Sequence, residues 1–344
     1  MIRPDIRALS AYHVAESGNM IKLDAMENPY PLPDELRHQW GAHLAGLAIN
    51  RYPDAGCLPL RSRIAERERL KPEQVLLGNG SDELIQMLLI AADNGPCVVP
   101  EPTFVMYGIA AKWLKRPVAS VPLGRDFALD ARKVLETCSR EKAAIVFLSC
   151  PNNPSGNLWP EETIREIAAN FRGIVVIDEA YRPFAERTHT HLIAPNVVVL
   201  RTFSKLGWAG LRLGYLLGDA ATIEHLNKVR MPYNINALTQ ASALFFLDRF
   251  ELFEAQAAEI RAQRALLAAA LAELPGAEPF PSQANFILVR LPQASEVWNG
   301  LKSRGILVKN LDGGLEQLRS CLRLTIGTPD ENAALIAALK EILA

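Results

Sequence analysis

Three apolar runs of strand length, each ending abruptly in polar residues, constrain this chain more than any other feature. Ala143-Ala144-Ile145-Val146-Phe147-Leu148 leads through Ser149-Cys150 into the turn Pro151-Asn152-Asn153-Pro154-Ser155-Gly156. Gly173-Ile174-Val175-Val176-Ile177 ends on Asp178-Glu179-Ala180-Tyr181, and Asn196-Val197-Val198-Val199-Leu200 runs into Arg201-Thr202-Phe203-Ser204-Lys205. Runs without polar alternation suit strands covered on both faces, as in a parallel sheet flanked by helices. An α/β fold follows. Its polar groups gather at the carboxyl ends of the strands, where open α/β sheets bind ligands.

Those polar groups suit one kind of chemistry. A lysine leaving a buried strand among hydroxyls, with Arg212 seven residues on, can bond an aldehyde while its neighbours hold a phosphate. A carboxylate at the end of a buried strand needs a partner, and for Asp178 a protonated pyridine nitrogen is one. Glu179 should face the other way by strand alternation. Asn153, presented by the proline-bounded turn, can donate to a phenolic oxygen. Together these residues meet the needs of pyridoxal phosphate. Taken singly each has a plainer reading, since most Ser-Lys pairs after a strand are solvated loop residues.

Gly78-Asn79-Gly80-Ser81-Asp82 joins Val75-Leu76-Leu77 to a helix. Its glycines let backbone approach a ligand, and the free N–H groups at a helix start favour phosphate. Alone, the segment reads more readily as an ordinary helix cap by Ser81 or Asp82, and the other motifs turn the reading to phosphate binding. It lacks the third glycine of a dinucleotide fingerprint.

At 344 residues the chain exceeds one hydrophobic core, so two domains are expected. Short apolar runs alternate with helical stretches from Glu73 to Gly218, including helices over 84–92 and 160–170. After Met231-Pro232-Tyr233-Asn234 the pattern changes. One or two helices fill 237–274, then strands at 285–289, 305–308 and 322–326 interleave with helices, ending with 331–343. A net charge of −1 gives no general attraction to nucleic acid or anionic membrane. No apolar stretch reaches the ~18 residues of a membrane span, and Met1-Ile2-Arg3-Pro4-Asp5 lacks a signal-peptide core, so a cytoplasmic location is expected. Five scattered cysteines without CxxC spacing read as reduced buried thiols. His189 and His191 read as a polar loop, with no metal site.

In order and spacing, PNNPSG with Asn153, DEAY with Asp178 and Tyr181, TFSK with Lys205 and GLRLGY with Arg212 resemble the fold-type I pyridoxal-phosphate aminotransferases. Further segments extend the resemblance over nearly the whole chain: Glu27-Asn28-Pro29-Tyr30, Asn50-Arg51-Tyr52-Pro53, Gly78 to Glu83, Pro102 to Tyr107 and Leu322 to Thr328. The similarity is greatest to the histidinol-phosphate aminotransferase family.

The resemblance implies a large cofactor-binding α/β domain over 30–235 with a mainly parallel seven-stranded sheet. A smaller α+β domain would combine 236–344 with an N-terminal arm, 1–29. It implies that Lys205 carries pyridoxal phosphate, that Asp178 pairs the ring nitrogen, and that Asn153 and Tyr181 bond the phenolic oxygen. Gly80, Ser81, Asp82, Thr202, Ser204 and Arg212 would surround the phosphate, and Tyr107 would stack on the pyridine ring. Tyr52 would reach the neighbouring site of a homodimer. Arg323 would grip the anionic end of each substrate, glutamate or 2-oxoglutarate and histidinol phosphate, with Tyr12, Asn28 and Lys309 beside it. Lys309 stands where many relatives have a second arginine. The same cofactor residues would serve an aromatic or other amino-acid aminotransferase, or, less readily, a phospho-amino-acid decarboxylase.

Overall fold

The computed structural model describes residues 1–11 and 15–344. Its strands, in chain order, are β1 (Ile21–Leu23), β2 (Val75–Asn79), β3 (Cys97–Glu101), β4 (Val118–Pro122), β5 (Ile145–Ser149), β6 (Ile174–Asp178), β7 (Val197–Thr202), β8 (Leu213–Leu217), β9 (Glu278–Pro279), β10 (Phe286–Arg290), β11 (Ile306–Asn310) and β12 (Cys321–Thr325). Seven form one sheet in the order β2-β8-β7-β6-β5-β3-β4. Only β8 runs against its neighbours. The three apolar runs are the central strands β5, β6 and β7, and every residue of β5 and β7 is buried.

Alternation along these strands sorts their side chains to two separate cores. Val146, Leu148, Val175, Ile177, Val197 and Val199 pack on one face; Ile145, Phe147, Val176, Val198 and Leu200 pack on the other. Covering both faces explains why the runs carry no polar alternation. The chain runs from β3 outward to β4, returns to β5 and continues through β6 to β7 in the opposite direction. This reversal opens a crevice beyond the carboxyl ends of β3 and β5.

The remaining strands form a five-stranded sheet, β1-β11-β12-β10-β9. β1, from near the N terminus, pairs in parallel with β11, and the other pairings are antiparallel. The helical stretch after 236 divides into Ala237–Leu247 and Phe250–Ala272, with Asn236 capping the first by accepting from Thr239 N. Among the described residues, no helix is long and apolar enough to cross a membrane.

Candidate active site

The two sheets meet around the segment Asp24–Met26. Met26 is held in a left-handed conformation, φ 57°, its N–H donating to Thr325 Oγ1 and its carbonyl accepting from Asn285 Nδ2. This fixes the direction of the two preceding carbonyls. Ala25 O accepts from Lys205 Nζ at 3.2 Å and Asp24 O accepts from Arg323 at 2.8 Å. Cations from the two sheets are thereby brought to one short piece of backbone.

Lys205 follows β7 in a distorted turn, with Gly207 at φ 132°. Burial of its amine, with Arg323 and then Arg212 nearby, lowers its pKa to about 8, despite the opposing Glu27 and Asp82. Thr202, Ser204, Lys205, Arg212, Asp178, Asn153, Tyr181, Ser81 and Asp82 all line one cavity. Asn153 Nδ2 donates to the Tyr181 hydroxyl at 3.0 Å, and its Oδ1 accepts from Arg323 at 2.6 Å. The Tyr181 hydroxyl also lies 3.1 Å from Met26 Sδ.

Asp178 and Glu179 diverge as strand alternation requires. Asp178 Oδ2 accepts from the Tyr107 hydroxyl at 2.6 Å and Oδ1 from Ala180 N at 2.9 Å. Burial raises its pKa to about 6, against the lowering effect of both donors. Glu179, on the opposite face, accepts from Arg201 at 2.8 and 3.0 Å and from His189 N at 2.6 Å. His189 is wholly buried, its Nδ1 3.0 Å from Glu179. The polar-loop reading of His189 is therefore corrected: it belongs to an internal ion cluster that also takes in Glu68, bonded to Arg201.

The 78–82 turn ends in a helix, Ser81–Ala91, whose N-cap is Gly80 at φ 79°, with no side-chain cap. The capping reading of Ser81 and Asp82 does not hold, because both lie inside the first turn. Asp82 instead pairs with Arg212 at 3.0 Å. A Cβ on Gly80 would come within 2.6 Å of the Arg212 guanidinium, and one on Gly214 within 2.6 Å of Ser81 N. Gly214 is needed because backbone of the turn fills the space of its Cβ, and Gly80 because of its positive φ.

The remaining expected site residues fall in different places. Tyr107 does not face the cavity: it is fully buried, its ring stacked on Phe147 with centroids 4.6 Å apart. Phe104, three residues earlier, lines the cavity instead. Asn28 is removed from substrate contact because its amide donates to Leu206 O and Gln256 and its oxygen accepts from Tyr30 N, bracing the loop after Lys205. Tyr12 lies outside the described residues. Tyr52 is 79% exposed, stacked on Tyr233 at 4.4 Å and away from this cavity.

Lys309 is exposed in register with Arg323 across β11 and β12. Both line an adjoining cavity with Phe104, Asn153 and Met26. Sequence reasoning missed Met26, Phe104, Ser149 and Gly214. Of these, Phe104 and Gly214 carried a local signal, one beside a strand exit and the other inside GLRLGY.

The sequence model for aminotransferase class I and II matches residues 18–339. The chain belongs to that family. A histidinol-phosphate aminotransferase of Chromobacterium violaceum is 47% identical, the alignment covering 99% of this chain and 97% of the relative. One of Methylibium petroleiphilum is 45% identical, covering 99% and 94%. Among solved structures, histidinol-phosphate aminotransferase from Sinorhizobium meliloti, in complex with pyridoxal-5'-phosphate, matches with a TM-score of 0.89 at 24% identity, covering 99% of this chain and 97% of that one. The architecture is that of fold type I, with its mostly parallel seven-stranded sheet.

Proposed function

We propose that this class I and II aminotransferase uses pyridoxal phosphate to exchange an amino group between histidinol phosphate and 2-oxoglutarate, giving imidazole-acetol phosphate and glutamate. The observation that carries the substrate reading is the pairing of Arg323 and Lys309 in register beside the cavity that holds the lysine. A guanidinium matches a carboxylate or a phosphate bidentately, and a second cation favours the dianion. The name carried by relatives 45–47% identical over the chain supports it.

The residues fit the cofactor. The cavity offers an amine for an aldehyde, a carboxylate for a ring nitrogen, two donors for a phenolic oxygen and, beside Ser81, the Arg212 guanidinium for a phosphate. When bound, pyridoxal phosphate supplies an aldehyde carbon that links to amines and a ring that stores electrons as a Cα proton leaves. Lys205 would hold the aldehyde carbon. Its Nζ, when free, would take the proton from substrate Cα, and its lowered pKa of about 8 keeps a neutral fraction available near neutrality. Asp178 pairs the ring nitrogen, and Asn153 with Tyr181 bonds the phenolic oxygen. Ser81, Thr202, Ser204 and Arg212 hold the phosphate, with Gly80 and Asp82 shaping that turn. Phe104, which lines the same cavity, would meet the bound group.

The reading includes the two domains, 30–235 and 1–29 with 236–344, a cytoplasmic homodimer, and Tyr52 serving the neighbouring subunit's site. The test is an assay of the purified protein with histidinol phosphate and 2-oxoglutarate beside phenylalanine as donor. Clear preference for histidinol phosphate is expected. Equal or greater turnover of phenylalanine would favour an aromatic aminotransferase, and release of carbon dioxide a decarboxylase.

A further inference from the structure

Tyr107 reaches the cavity only through another residue. It sits on the helix Met106–Trp113, with Phe147 of β5 stacked on its ring at 10° between planes and Phe104 at its edge, centroids 5.5 Å away. These contacts fix the ring and deliver its hydroxyl to Asp178 Oδ2. With Ala180 N on the other oxygen, both ends of the carboxylate are held and its plane is set. Each oxygen keeps a further lone pair for a partner in the cavity. A phenol is costly to bury without an acceptor, so a hydroxyl here, where phenylalanine would pack as well, requires its own account.

We infer that Tyr107 is a positioning residue for recognition of the pyridine ring: its hydroxyl orients the Asp178 carboxylate toward the ring nitrogen. This rests on the reading of Asp178 given above. Donation from the phenol also stabilises the carboxylate against burial, and against Asp82 and Glu179, whose charges disfavour ionisation. Tyr107 is itself held neutral, since burial and then the charge of Asp178 drive its pKa well above the usual value. The hydroxyl is therefore a fixed donor across the working pH range.

The test compares cofactor-free parent, Tyr107→Phe, Asp178→Asn and the double variant. Each is titrated with pyridoxal phosphate and with its analogue in which the ring nitrogen is replaced by C–H. The parent should favour pyridoxal phosphate. Tyr107→Phe should weaken that ligand on the order of tenfold, leave the carbon analogue unaffected, and add nothing in the Asp178→Asn background. 3-Fluorotyrosine at position 107 keeps the hydroxyl and should restore the parent's preference, which covers the case of a poorly folding Phe variant. Equal weakening of both ligands, or the same loss on top of Asp178→Asn, would assign Tyr107 to packing and overturn the inference. A parent indifferent to the ring nitrogen would instead overturn the reading of Asp178 beneath it.

Discussion

Arg323, from the five-stranded sheet, donates to the side-chain oxygen of Asn153, in the turn after strand β5 of the seven-stranded sheet, at 2.6 Å. The group read as gripping the substrate's anion thus touches the group read as bonding the cofactor's phenolic oxygen. An anion arriving at the guanidinium competes for donors that Asn153 now uses. Replacing Arg323 with alanine should weaken both glutamate and histidinol phosphate by roughly 30-fold to several thousandfold, the range for loss of a desolvated charge-assisted pair of ~2–5 kcal/mol. Single half-reaction kinetics measure each substrate separately. Impairment of glutamate alone would require two distinct anion sites.

Lys309→Ala should act differently. A dianionic phosphate gains more from a second cation than a carboxylate does, and Lys309 is exposed beside Arg323 without occupying the Asn153 contact. The apparent affinity for histidinol phosphate should therefore fall more than that for glutamate. Equal effects on the two substrates would remove Lys309 from phosphate recognition.

Lys205 should carry the cofactor. Borohydride reduction of the purified protein, followed by peptide mapping, should place the reduced adduct on Lys205 and on no other lysine. An adduct on Lys228 or Lys309 would contradict the assignment.

Burial pushes the Asp178 carboxyl up to about 6 in the folded chain, against about 3.9 in an unfolded one. Folding disfavours its ionised form, so it destabilises the cofactor-free protein fully above pH 6. That penalty fades as pH falls through 6 and is gone below about 4. Cofactor-free Asp178→Asn should consequently exceed the parent in stability by about 3 kcal/mol at pH 8, with the difference closing on acidification. Denaturant melts at several pH values check this. The same variant should lose most transaminase turnover, because an amide cannot keep a ring nitrogen protonated. A stability difference that ignored pH would exclude desolvation of the carboxylate as its cause.

Tyr52 should serve the partner's site. Mixing inactive Lys205→Ala chains with cofactor-weakened Tyr52→Phe chains creates heterodimers in which one site carries both defects and the other carries neither. Cofactor titration should then reveal a recovered class of tight sites. Its absence after verified exchange would confine Tyr52 to its own chain.

The strands and their polar ends were legible because both faces of β5, β6 and β7 are buried, which writes them as unbroken apolar runs. The opposite destinations of Asp178 and Glu179 followed from the two-residue strand period. Tyr107 and Phe104 were not separable in this way. Both are aromatic residues after β3, and which one meets the cavity depends on where the following helix begins, at Met106. Asn28 left even less trace, since its partners Leu206 and Gln256 lie 178 and 228 residues away. The ion cluster around His189 likewise joins segments that share no local pattern.

Lys205 and Arg323 each donate to a backbone carbonyl oxygen, of Ala25 and Asp24 respectively. A carbonyl is present whatever amino acid the codon specifies. Point substitution at positions 24 and 25 can bend this support or crowd it, yet cannot delete either acceptor. Inherited variation in this stretch can therefore adjust how the two cations are held, while outright loss of the support would take a change in chain length or in the path of the backbone.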